Sequence, residues 1–70
     1  MEKARFVQII RGHPTGEPLE QDIAEALDEM AKWAEQISGS IEEITTPEGG
    51  LERVVIKDKN GKSVEIFAVC

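Results

Sequence analysis

Between Pro18 and Ser38 the apolar side chains Leu19, Ile23, Ala26, Leu27, Met30, Ala34 and Ile37 return every three or four positions. That spacing gathers them into one stripe of an α-helix, and the stripe must lie against another apolar surface. Pro18 suits a first helical position, where its missing N–H has no partner to lose, and Gly39 suits the left-handed residue that ends a helix. Trp33 falls at the border of the stripe, which predicts core packing. An exposed tryptophan there would instead be a contact anchor, since tryptophan is enriched at binding hot spots.

The rest of the chain has to supply the surface that this stripe covers. Ala4 to Arg11 is rich in β-branched and aromatic residues and stops at Gly12-His13-Pro14, which reads as a strand. Phe6 and Ile10 share one of its faces and Val7 and Ile9 the other, so it is expected inside a sheet or covered on both sides. Gly12 to Glu17 reads as a loop. Ile41 to Thr46 reads as a short strand, favoured by Ile44, Thr45 and Thr46 and opposed by Glu42 and Glu43. Pro47-Glu48-Gly49-Gly50 is turn chemistry, and Leu51 to Lys57 and Ser63 to Val69 read as two strands around Asp58-Lys59-Asn60-Gly61-Lys62.

That last turn permits two registers. A two-residue Asn60-Gly61 loop pairs Val55 with Ile66 but sets Ile56 opposite Glu65. A three-residue loop, opened by Asp58 and closed by a left-handed Gly61, pairs Val54 with Ile66 and Ile56 with Val64. The second collects Val54, Ile56, Val64, Ile66 and Ala68 on one apolar face, which is expected to meet the helix. The opposite face then carries Leu51, Arg53, Val55, Lys57, Glu65, Phe67 and Val69.

Seventy residues hold one core, so residues 1 to 70 are expected to form a single domain. The reading is α+β: a β-α-β-β-β domain with one amphipathic helix on one face of a three- to four-stranded, mainly antiparallel sheet. One cysteine and one histidine provide neither an internal disulfide nor the four ligands of a structural zinc site, and no metal or cofactor is expected. Local choices agree with one another along the chain, as they would in an idealised, de novo designed domain; the sequence leaves natural or designed origin open.

Charge narrows the partners. Glu17, Glu20, Asp22, Glu25, Asp28, Glu29 and Glu35 face one base, Lys32, in the helical segment; elsewhere acids and bases balance, so the net charge of -6 sits there. Such a balance opposes binding to phosphate backbones and anionic membranes, which proceeds through Lys and Arg. The expected partners are a second copy of the chain or another protein, with no direct nucleic-acid or membrane binding. No apolar run approaches the roughly 20 residues that span a bilayer, and Met1-Glu2-Lys3-Ala4-Arg5 lacks the apolar region of a signal peptide, which predicts a soluble, cytoplasmic protein.

Three candidate sites follow. The foremost is the sheet face opposite the helix, with Leu51, Arg53, Val55, Phe67 and Val69, because a mixed apolar and charged patch on a small domain marks a partner surface. The second is the acidic helix, where Glu25, Asp28 and Glu29 are placed to mimic a nucleic-acid backbone toward a basic protein groove. Glu25 and Glu29 form a like-charge i, i+4 pair that costs a few tenths of a kcal/mol. The third pairs Cys70 with His13 as a thiol enzyme and requires the first and last strands to run parallel. Acids crowding the helix start disfavour a thiolate there. The Gly12-His13-Pro14-Thr15-Gly16 segment lacks the spacing and lysine of a phosphate loop, and its acids repel anions. The sequence therefore reads as a small acidic, non-enzymatic scaffold or interaction domain, with an acidic inhibitor of a nucleic-acid-handling protein as the alternative.

Overall fold

The structure, a computed structural model, describes residues 2–70. Its elements are β1 (Lys3–Ile10), β2 (His13–Asp22), α1 (Ile23–Gln36), β3 (Ser40–Thr45), β4 (Leu51–Lys57) and β5 (Ser63–Val69). The fold is α+β, with one helix packed against a five-stranded antiparallel sheet in the order β2-β1-β5-β4-β3. As its two apolar faces predict, β1 lies inside the sheet.

The additional strand is β2, where a loop and the first helical turn were expected. Ile10 pairs with His13 across Arg11 and Gly12, both at positive φ (53° and 81°), the backbone of a tight two-residue hairpin. Pro14 and Pro18 are tolerated because β2 is an edge strand. Pairing of residues 19–22 with Lys3 to Phe6 takes Leu19 out of the helical stripe. The helix therefore begins five residues later than Pro18 suggested: Asp22 is its N-cap, and its Oδ1 accepts from the Glu25 N–H at 3.1 Å.

The C-terminal end differs too. Ser38 (φ 55°), not Gly39, takes the left-handed conformation. Gly39 N–H donates to Ala34 O at 2.8 Å and Ser38 N–H to Glu35 O at 3.0 Å, closing a Schellman motif.

The β4–β5 turn forms as expected. Gly61 N–H donates to Asp58 O, Gly61 is left-handed (φ 82°), and Asp58 Oδ1 accepts from the N–H groups of Asn60 and Lys62. One residue further a bulge at Val64 shifts the register, so Ile56 faces Glu65, Val55 faces Ile66 and Val54 faces Phe67. The faces of β5 are thereby exchanged relative to the preferred register. Phe67 and Val69 turn toward the helix, and Ile66 and Ala68 turn away. A second bulge, at Glu52, accompanies the packing of Leu51 against the helix-side core.

That core consists of Phe6, Ala26, Met30, Ala34, Val54 and Ile56, with Leu51, Phe67 and Val69 among the residues packed on it. The 14-residue helix is about 21 Å long, and four strand spacings span about 19 Å. It leaves β2 where Asp22 meets Lys3 and delivers the chain to β3 where Ser40 meets Lys57, at the diagonally opposite corner of the sheet. A helix on this diagonal leaves the other two corners of its own face open.

Candidate interaction surfaces

Of the five residues expected to share the face opposite α1, the structure brings together Arg53 and Val55. Leu51, Phe67 and Val69 lie on the helix side, because the two bulges turn them toward the stripe. The register sets Arg53 and Val55 beside residues not expected with them: Arg5, Val7 and Ile9 of β1, Ile66 and Ala68 of β5, and Glu42 and Ile44 of β3. Val7 and Ile9 were legible as a second apolar face of β1. The contribution of Ile66 was hidden by the bulge.

This open face has a dry centre. Val7 and Val55 are 5% and 7% exposed although they stand outside the helix-side core. Ile9, Ile44, Ile66 and Ala68 around them are half-buried, and Arg5 and Arg53 are exposed. Lys57 Nζ contacts Glu42 Oε2 at 2.7 Å; this hydrogen bond and the ammonium charge hold the Glu42 carboxyl below the usual glutamate value.

The acids of α1 lie where the sequence placed them. Glu25, Asp28 and Glu29 are exposed, and Asp28 meets Lys32 at 3.5 Å. Glu25 and Glu29 have no ion-pair partner among the described residues. Glu17 and Glu20, expected on the same helix, belong to β2 instead.

Large exposed apolar side chains are concentrated elsewhere. Leu19 is 61% exposed, Ile10 50%, Val64, at the β5 bulge, 44% and Trp33 40%. Leu19 pairs with Phe6, which places it on the helix side, and Ile10 shares that side by alternation along β1. Beside them Gln21, Ala26, Glu29, Met30, Trp33 and Phe67 line a hollow of about 280 Å³ between helix and sheet. The signal for Leu19 was absent from the sequence, where it fitted the helical spacing. Trp33 was recognisable as a border residue.

Cys70 and His13 are not brought together. β1 and β5 are neighbours, as the thiol hypothesis required, but they run antiparallel. Cys70 N–H donates to Arg5 O at 2.8 Å, whereas His13 pairs with Ile10. Five residues of strand, about 17 Å, separate these two positions along β1.

Among the described residues no cluster of His, Cys, Asp or Glu has metal-binding geometry, and no helix is long and apolar enough to cross a membrane. In comparison with known proteins the chain matches no family model, no curated sequence and no solved structure.

Proposed function

We propose that this chain is a non-enzymatic interaction domain that binds protein, a second copy or another chain, through the sheet face opposite α1. The supporting observation is that Ile9, Ile44, Ile66 and Ala68 stay partly exposed around the buried Val7 and Val55 on the face away from the helix-side core, with the exposed Arg5 and Arg53 at their edge. Apolar side chains that keep part of their surface exposed inside a charged rim suit a protein interface, whose core a partner buries. Light scattering across a concentration series tests the second-copy form. Dimer formation weakened by Arg53→Glu and Ile44→Lys supports it, and a strict monomer at the highest concentration removes it. For a different partner, binding unaffected by the same two substitutions would take the open face out of consideration.

A second reading rests on Glu25 and Glu29, neither of which has an ion-pair partner within the described residues. Together with Asp28 they line a rod of carboxylates suited to the basic groove of a protein that handles nucleic acid. Reversing Glu25, Asp28 and Glu29 to lysine abolishes inhibition of such a protein if this reading holds. Inhibition that survives in a folded variant excludes it.

A further inference from the structure

The open corner on the helix side carries a different kind of site. Glu25, Glu29 and Trp33 follow one another at steps of four, which stacks them on a single ridge of α1. The neighbouring ridge, Ala26, Met30 and Ala34, is buried. The first ridge thus stands as the wall of the hollow whose opposite side is Phe67 of β5 and Gln21 of β2. Trp33, 40% exposed, stands at the border of the buried stripe, with Met30 and Ala34 buried on one side of it and Glu29 and Lys32 exposed on the other. Leu19, the most exposed of the large apolar side chains, lies on the same face of β2 as Gln21.

The electrostatics of this hollow have one sign. Among the described residues Glu29 is the only charged one in the lining, and none of them is Lys or Arg. Glu25 stands one turn away on the same ridge. Glu65, on the helix-facing side of β5, accepts from the Gln8 side-chain amide rather than from a base. An anion is repelled from such a site. A cation over an indole ring gains from the ring quadrupole, and a carboxylate one helical turn away adds its charge.

We propose that this groove receives an arginine or lysine side chain carried on an apolar segment of a protein partner, with Trp33 as its platform, Glu29 as its counter-charge, and Met30, Phe67 and Leu19 as the apolar contacts. The occupant also bears on the like-charge pair: a cation held by Glu29 and Trp33 offsets part of the repulsion between Glu29 and Glu25. The site is separate from the open sheet face and does not depend on it.

The chain contains one tryptophan and no tyrosine, so the emission of Trp33 reports directly on the groove. The probes are two blocked pentapeptides, one alternating leucine with arginine and one alternating leucine with glutamate, titrated into the full chain. The arginine peptide is expected to change Trp33 emission saturably, and the glutamate peptide is not. Glu29→Lys, an exposed substitution, should weaken the arginine peptide at least tenfold, while Lys59→Ala, an exposed position in the β4–β5 turn outside both surfaces, leaves it unchanged. Circular dichroism confirms that both variants are folded. An equal response to the two peptides, no saturable response, or undiminished binding by Glu29→Lys overturns the proposal. Trp33→Ala, followed by calorimetry, separates this groove from a bare rod of carboxylates: it abolishes binding here, and binding that persists assigns the peptide to the carboxylates alone and refutes the groove.

Discussion

Ser38 adopts the left-handed conformation at the end of α1 while the glycine beside it does not need it. Gly39 is required for a different reason: a Cβ there would overlap the Lys57 carbonyl where the chain enters β3. The two residues therefore respond oppositely to substitution. Ser38→Gly should raise stability by about 1 kcal/mol by removing left-handed strain. Gly39→Ala should lower it by about 2 kcal/mol through backbone displacement. Urea unfolding distinguishes them, and the reverse order would rule out this assignment. Glu42 offers a second test at this scale. Lys57 lowers its folded carboxyl below the unfolded value, so its contribution to folding is present above the usual carboxylate range and is lost as pH falls through the lowered value. Lys57→Met should return the NMR titration of Glu42 to the ordinary glutamate midpoint. Both groups are substantially exposed, so the effect on overall stability is small.

At the scale of elements, Asp22 is the joint between β2 and α1. It ends the strand opposite Lys3 and caps the helix through Glu25 N–H. Asp22→Ala leaves that donor without its partner and is expected to cost about 1 kcal/mol, read as a shift in the urea midpoint at constant slope. Unchanged stability would show that the cap contributes nothing. The cap was difficult to locate from sequence because Pro18 offers a competing helix start and Leu19 continues the three- and four-residue spacing. Residues 13–22 also carry none of the alternation that marks a strand. What holds β2 is the pairing of its backbone with β1, and such pairing leaves little trace in side-chain pattern when one strand is an exposed edge. The turn Asp58 to Gly61 was legible for the opposite reason. Its hydrogen bonds close within five residues, so the identities of Asp58 and Gly61 suffice.

For the whole molecule, the antiparallel neighbourhood of β1 and β5 separates the chain's one thiol from its one imidazole. Alkylation of Cys70, which is exposed, should proceed at the same rate in the parent protein and in His13→Ala. A slower reaction in the variant would mean that the two side chains meet. The same topology distributes the surface. Acids occupy the outer side of α1, Arg5 and Arg53 flank the other side of the sheet, and apolar residues are left exposed where the diagonal helix does not reach. The candidate site was partly legible: Arg53, Val55, Glu25, Asp28, Glu29 and the border position of Trp33 could be read directly. Leu51, Phe67 and Val69 were assigned to the wrong face because one residue of register exchanges every side chain of a strand between faces.

The sequence by itself determined the helix from Ile23 onward, the closing turn of the last hairpin and the acids Glu25, Asp28, Glu29 and Glu35 on that helix, because these depend on residues a few positions apart. Tertiary structure alone decided that residues 13–22 pair as a strand, that Val64 bulges, and which apolar side chains the helix covers. Those outcomes depend on how much apolar surface distant segments bury together. Moving Phe67 and Val69 onto the stripe of α1 places large side chains against the core, and Glu65 is accommodated on the same side through its hydrogen bond with Gln8.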